Sequence, residues 1–427
     1  FEYQWDFGDG TTSAEQHPVH EYTTAGKYVA TLTATGPGGV DRTAKTVHAG
    51  SFIAVVATAA SDFSSGAHSI IPVDTLIPQN NLMATTSDIS VVAYGSHFYR
   101  IERYMHDNVT KFDIDAPEDV IWQYSAIGPE DGSSSNPHDM VFLNSRKAYL
   151  IRYGSDKAWI VDPSVETEAD FKTGELDLSA YADQDGLPEM TRGVIVDGKL
   201  FIAVERLNRR ASSGIWQPNT AYVCVFDTNT DKEIDTKMGG VNDVHGNDVK
   251  GIPLTIENPI SMQYLVENNT IYVQGVGTYS FPGIPGKDTG GIESIDPQIY
   301  ESILVLDDGK RESADDELPY GNISGMAIVS PEKGYFVGYK GWMDNSFYSF
   351  SMDSSGRADM DSISAVAGLE GKNIAVLESG AGLDSRGRLW VSNRTDTGIA
   401  VINPADDSQE YFIKTGLPPL KTVFCSK

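Results

Sequence analysis

Short runs of alternating apolar and polar residues recur along the chain, and they come in pairs. Tyr99-Arg-Ile-Glu-Arg103 is followed by Lys111-Phe-Asp113, and Ala148-Tyr-Leu-Ile-Arg152 by Ala158-Trp-Ile-Val-Asp162. Leu200-Phe-Ile-Ala-Val204 precedes Tyr222-Val-Cys-Val-Phe-Asp227, and Thr270-Ile-Tyr-Val-Gln274 precedes Ile303-Leu-Val-Leu-Asp307. Gly334-Tyr-Phe-Val-Gly338 with Phe347-Tyr-Ser-Phe350, and Arg388-Leu-Trp-Val-Ser392 with Ile399-Ala-Val-Ile-Asn403, complete the set. A period of two is the signature of a strand with two different faces. Each unit therefore predicts an apolar strand, a turn, and a second apolar strand that usually ends on Asp or Asn. One such unit cannot bury both faces of its sheet, so copies must stack or close into a ring.

The second-strand landmarks are Asp74, Asp113, Asp162, Asp227, Asp307, Asp353 and Asn403. They predict a seven-bladed β-propeller over residues 50–427, with blade spacings of about 40 to about 80 residues. The last blade is expected to join both ends of this region. Phe52–Thr58 and Ala67–Asp74 supply two or three strands, and Leu420–Cys425 pairs beside them to remove the open edge. The long intervals hold insertions at 208–220, 239–257 and 279–300, and loops on a rigid ring often carry binding.

Ahead of the ring, Tyr3-Gln-Trp5-Asp6-Phe7-Gly8-Asp9-Gly10 reads as a strand and a tight turn. Pro18-Val-His20-Glu-Tyr22 follows, then Gly26-Lys-Tyr28 and the alternating strand to Leu32 and beyond. Gly8 and Gly10 allow positive φ, and Asp6 and Asp9 suit hydrogen bonds to the turn backbone. Trp5, Tyr22, Tyr28 and Leu32 are expected to fill a sandwich core. These motifs resemble the PKD domain, an immunoglobulin-like β-sandwich, over residues 1–49. That resemblance implies further strands on the N-terminal side of Phe1, and an unpaired sheet edge open to strand addition by a neighbour. The expected fold is thus all-β: a partial immunoglobulin-like PKD sandwich plus a seven-bladed propeller, joined by a short hinge at 48–51. The propeller part resembles, in architecture only, the broad YVTN or quinoprotein-like superfamily. Members of that group include enzymes and pure binding proteins, so the resemblance does not choose an activity.

With 32 basic and 60 acidic residues, the chain carries a formal net charge of −28. Such a surface repels phosphate, and nucleic-acid binding is not expected. No apolar stretch reaches the roughly 20 residues that span a bilayer. The two cysteines, Cys224 and Cys425, form no CxxC motif. Cys224 sits in an apolar strand, where a buried free thiol is the default, with a disulfide across the ring closure as the alternative.

Candidate chemistry lies just before the first strand of each blade, where residues face one mouth of the ring. These positions hold Asp88, Asn136-Pro-His138-Asp139, Glu189-Met-Thr191-Arg192, Asn258, Asn322 and Glu378. His138, Asp139, Glu189 and Arg192 are the set most able to converge. Histidine and carboxylates suit a divalent metal or acid–base work, and arginine suits an anion or a salt bridge. The bland alternative is that they cap strand ends and order channel water. Asp183-Gln-Asp185-Gly186 resembles the start of a calcium loop but lacks the flanking helices of an EF-hand. His245 and Asp248, in the cluster Asn242-Asp243-Val-His245-Gly-Asn247-Asp248, are further candidates for metal. The apolar segments Ile215-Trp216-Gln-Pro218 and Tyr279–Gly286 read as partner contacts. No P-loop, GxGxxG or GxSxG motif is present.

These readings predict a secreted or cell-surface binding or structural protein. The propeller is the interaction platform, and the PKD-like module is a spacer or assembly handle. The expected partner is a protein or an extracellular polymer, with self-assembly by strand completion as a variant. No cofactor is expected beyond Ca2+ or another divalent metal. The alternative is an extracellular metal-assisted hydrolase or lyase at the channel mouth, using His138, Asp139, Glu189 and Arg192.

Overall fold

A computed structural model describes residues 1–427 except 211–215, 243, 279–288, 310–318, 342–343 and 376–381. The fold is all-β, with antiparallel pairing throughout the described sheets. Residues 1–49 form one four-stranded sheet built on Glu2–Asp6, Thr12–Ser13, Gly26–Gly36 and Gly39–Ala49. Its turn follows the expected chemistry. Gly8 and Gly10 have φ of 78° and 89°, and Asp6 Oδ1 accepts from Gly8 N at 2.9 Å. The expected sandwich core is only half formed. Trp5, Tyr22, Tyr28 and Leu32 are half-buried, and Phe7 is the buried ring, because no second sheet covers this one among the described residues.

Beyond Ala49 the described residues build seven sheets of three to five strands, plus a two-stranded ribbon. Most run in sequence order from an inner strand outwards. The inner strands Ile89–Tyr94, Pro137–Asn144, Met190–Val196, Pro259–Leu265 and Asn322–Ser330 touch one another in succession. Pro419–Ser426 takes the inner place in the sheet of Phe52–Ala59, pairing Val423 with Val55 and Cys425 with Ile53. Both cysteines are free and buried.

The hydrophobic cores lie between sheets, not within them. Tyr149, Ile151 and Leu176 of one sheet pack against Met190, Leu200 and Cys224 of the next. The same arrangement repeats around the molecule. It closes where Ile53, Val55 and Cys425 meet Val91 and Phe98, and where Phe52 and Ile71 meet Trp390 and Val401. Each sheet thus buries both faces against its neighbours, which is what the repeat required.

Two repeated devices explain the sequence landmarks. At six of the seven landmarks the Asp or Asn accepts the backbone N–H two residues on, whereas Asp74 pairs with Arg386. Asp113, Asp162, Asp227, Asp307, Asp353 and Asn403 accept it at 2.8–3.0 Å. These are Asx turns, which satisfy the backbone as the chain reverses. Neighbouring sheets are also stapled. Lys147, Lys199 and Lys333 each begin an inner-but-one strand, and their Nζ atoms donate to Thr228 O, Pro297 O and Pro404 O of the following sheet.

One buried histidine makes the fold sensitive to acid. His68, fully buried, packs against the stacked rings of Phe98 and Phe112. Its Nε2 is 2.8 Å from Pro117 O, and Arg100 Nη1 lies 3.4 Å from Nδ1. The arginine can only donate, so Nδ1 must accept and the ring is neutral. Burial, with the Arg100 charge adding to it, depresses the His68 pKa from 6.5 to about 4. Between those values the unfolded chain binds a proton that the folded one refuses. Stability is then full above pH 6.5 and falls as pH drops towards 4, by up to about 1.4 kcal/mol per unit. His68→Gln should flatten the melting-temperature profile over pH 6.5–4 relative to wild type. Parallel profiles for the two proteins would refute this assignment.

Candidate functional site

Several inner strands begin in the same unusual way. Asn136, Glu189, Asn258 and Gly321 immediately precede four of them, with φ of 44°, 50°, 57° and 73°. Asn and Gly tolerate this left-handed backbone, whereas for glutamate it carries strain. A bulge follows. His138 is skipped in the pairing between Pro137↔Arg152 and Asp139↔Ile151, and Thr191 between Met190↔Val204 and Arg192↔Ala203. A bulge re-aims the side chains around it.

His138 and Asp139 make separate contacts. His138 stacks on Tyr153 with ring centroids 4.4 Å apart. Asp139 is buried and faces Gly193 N at 3.4 Å. Arg192, also buried, donates through Nη1 to His138 O at 2.7 Å. Burial and the charges of Arg103, Arg192 and Arg209 push the His138 pKa well down, so its imidazole is neutral.

Asp183, Asp185 and Glu189 form the described cluster best able to hold a metal. All three are buried, and one oxygen from each lies within 4.8 Å of the others. The local turn arranges them. Asp183 Oδ1 accepts from Asp185 N at 2.8 Å, Asp185 Oδ1 accepts from Leu187 N at 3.1 Å, and Gly186 supplies φ of 93°. Glu189 Oε2 accepts from Leu207 N at 3.1 Å, while Oε1 is buried without a hydrogen bond. Arg209 stands over the cluster, its Nε 3.4 Å from Asp185 and its Nη2 3.4 Å from Glu189. Both contacts are charge pairs too long for strong hydrogen bonds. Burial, then the charges of Asp185 and Asp183, raise the Glu189 pKa to about 10. His245 uses Nε2 on Asp183 O at 2.6 Å, and Asp248 is exposed. Neither His138, His245 nor Asp248 joins the cluster.

Three members of the site lie outside the sequence-based set: Tyr153, Glu205 and Arg209. Tyr153 OH donates to Glu205 Oε2 at 2.9 Å, and Arg209 lies 5.1 Å over the Tyr153 ring. Burial raises the Glu205 pKa to about 8. Tyr153 and Glu205 each follow the second strand of a hairpin, Lys147–Arg152 and Lys199–Val204. The hairpin returns that position beside the start of the first strand, so the repeat held the signal one residue beyond its apolar run. Asp88, on the same rim, pairs with Arg103 at 2.7 Å. Trp216 is exposed. Asp243, Ile215, Tyr279–Gly286 and Glu378 lie outside the described residues.

Comparison with known proteins bears on the fold. The PKD domain family matches residues 1–49. A search of curated proteins gave no match. Among solved structures, a 6-phosphogluconolactonase candidate from Bacteroides uniformis aligns over 88% of this chain and 100% of its own, at 10% identity and a TM-score of 0.57. A protein from Lactobacillus plantarum aligns over 88% and 99%, at 12% identity and a TM-score of 0.55. A second such lactonase candidate, from Bacteroides fragilis, aligns over 88% and 98%, at 10% identity and a TM-score of 0.53. At these identities the likeness concerns the fold alone, which is propeller-like. Among the described residues, no helix is long and apolar enough to cross a membrane.

Proposed function

We propose that this chain is a secreted or cell-surface binding protein. Residues 50–427 form a seven-bladed propeller that presents the Glu189 mouth, and residues 1–49 act as a spacer or assembly handle. Support for seven blades comes from the seven described sheets and from the cores shared between neighbours. Support for an extracellular setting comes from the PKD-family match and the net charge of −28. The expected partner is a protein or an extracellular polymer. The long edge strand Gly39–Ala49 offers a second route, self-assembly by strand pairing.

The observation that carries the binding reading is Glu189. A carboxylate in strained backbone, wholly buried, with one oxygen lacking a hydrogen bond beside two more carboxylates, suits a cationic ligand. The all-oxygen donor set fits a hard cation such as Ca2+ better than a thiophilic metal. Such an ion would be held by Asp183, Asp185 and Glu189, with Arg209 moved aside. Bound there, it would rigidify the mouth and offer open coordination positions to an acidic partner group. Calorimetric titration of chelator-treated protein with CaCl2 should show one site. Thermal unfolding should rise by about 2.7 kcal/mol at a hundredfold excess over Kd. Glu189→Gln should weaken binding at least tenfold. Absence of heat at 10 mM CaCl2, with unchanged melting, would overturn this reading.

A second reading is favoured by Glu205, whose raised pKa keeps a proton near neutrality beside Tyr153 and the neutral His138. That arrangement suits a general acid and supports a metal-assisted hydrolase or lyase. Lactone or ester turnover that is lost in His138→Ala would favour it over the first.

A further inference from the structure

Below the mouth lies a separate cavity of about 420 Å3, a size that suits a small organic molecule. It starts at Asp139 and follows the inner strands towards Tyr94 and Phe142, and its far wall includes Lys27 and His48 of the N-terminal sheet. We propose that this cavity binds a small organic anion with a flat apolar body, held between aromatic walls and the Lys27 ammonium. The site is independent of the Glu189 mouth and of any cation bound there.

The walls argue for the flat body. Tyr94 and Phe142, both half-buried, stack with centroids 4.9 Å apart, and the half-buried Phe424 lines the same cavity. The polar groups argue for the charge. Lys27 and Lys421 both line the cavity, Lys421 with its Nζ donating to Ser90 Oγ at 3.3 Å, against the single acidic lining residue Asp139. In a chain of net charge −28 that local excess of positive charge runs against the surroundings. His48 and Thr422 are lining residues, and His48 Nδ1 and Thr422 Oγ1 are buried with no hydrogen-bond partner. Rotation of either side chain would bring a donor to a guest oxyanion, and burial and the Lys27 charge keep His48 neutral, with one N–H to offer. Neighbouring protein partly desolvates the exposed Lys27 and lowers its pKa, with Glu267 the opposing charge, so an anionic guest would relieve that cost.

The test uses the whole chain and 1-naphthoate, followed by Trp fluorescence and calorimetry at pH 7. Saturable one-to-one binding is expected. The uncharged analogue 1-naphthalenemethanol should bind at least tenfold more weakly. Lys27→Gln should lose at least tenfold in 1-naphthoate affinity, and Lys27→Arg should restore most of it. Lys27 packs into no core cluster, so both variants should keep the wild-type melting temperature. Glu189→Gln should leave 1-naphthoate binding unchanged, which separates this site from the mouth. No saturable binding by the wild type at millimolar 1-naphthoate would overturn the proposal. So would equal affinities for wild type and Lys27→Gln, or for the charged and uncharged probes.

Discussion

Replacing Arg152 with methionine is expected to destabilise the protein by about 3–5 kcal/mol. Arg152 is wholly buried in the sheet next to the mouth. Its Nε donates to Ala126 O at 3.0 Å, Nη1 donates to Lys157 O at 3.1 Å, and Nη2 pairs with Asp131. The guanidinium also lies 4.1 Å from the Trp159 ring centroid. Methionine fills much of the volume but leaves the buried Asp131 carboxylate without its charge partner and takes the guanidinium donors from two backbone carbonyls. The cost arises from those stranded groups more than from the lost pair itself. The double variant Arg152→Met with Asp131→Asn should therefore recover part of the loss. The amide that replaces the carboxylate carries no charge and still offers an acceptor to Gly128 N, which Asp131 Oδ2 now serves. Denaturant unfolding of wild type, single and double variants measures this. A single variant within 1 kcal/mol of wild type would show that the network is not coupled as described.

Ending the chain after Leu417 should have a larger effect, the loss of a single cooperative unfolding transition. Residues 419–426 are not a tail. They form the inner strand of a sheet whose other strands come from the start of the ring. Cys425 is fully buried in the core shared with the following sheet, and Phe424 packs against Trp390 of the preceding one. Ser51 and Lys427 exchange backbone hydrogen bonds at 3.2 and 2.8 Å, fastening the seam. Removal opens both flanking cores and bares the edge of Phe52–Ala59, an apolar strand of the kind that pairs with other chains. More than about 5 kcal/mol should be lost, the scale of deleting two or more buried apolar side chains. Calorimetric unfolding should broaden and become concentration-dependent through aggregation. A truncated chain with the wild-type melting temperature would contradict a ring closed at this seam.

The strands were legible because the period-two pattern and the Asp or Asn that ends each pair are local. Asp227 and Asn403 mark a turn whatever the rest of the chain does, since their side chains bond the backbone two residues ahead. The rim residues His138, Glu189 and Arg192 were legible by position, because inner strands start there. Their partners were not. Tyr153 and Glu205 reach the rim through hairpin return, and Arg209 comes from an insertion. Nothing in their spacing links them to Glu189. The bulge at His138 was also hidden, and it sends His138 to Tyr153 and Asp139 to the cavity below. Lys27 and His48 reach that cavity through contact between the N-terminal sheet and the ring, which no periodicity within either part encodes.

The electrostatics of the mouth tie these pieces together. Asp183, Asp185 and Glu189 are held too close for three full charges, and the Arg209 guanidinium, 3.4 Å from Asp185 and from Glu189, compensates them poorly. Protonation of Glu189 is one way out, and a bound cation is the other. The most direct measurement is a crystal structure of the full chain grown in millimolar CaCl2. An ion is expected about 2.3–2.6 Å from oxygens of Asp183, Asp185 and Glu189, with Arg209 displaced. Arg209 still in place beside Asp185 and Glu189, with no ion among the three carboxylates, would contradict it.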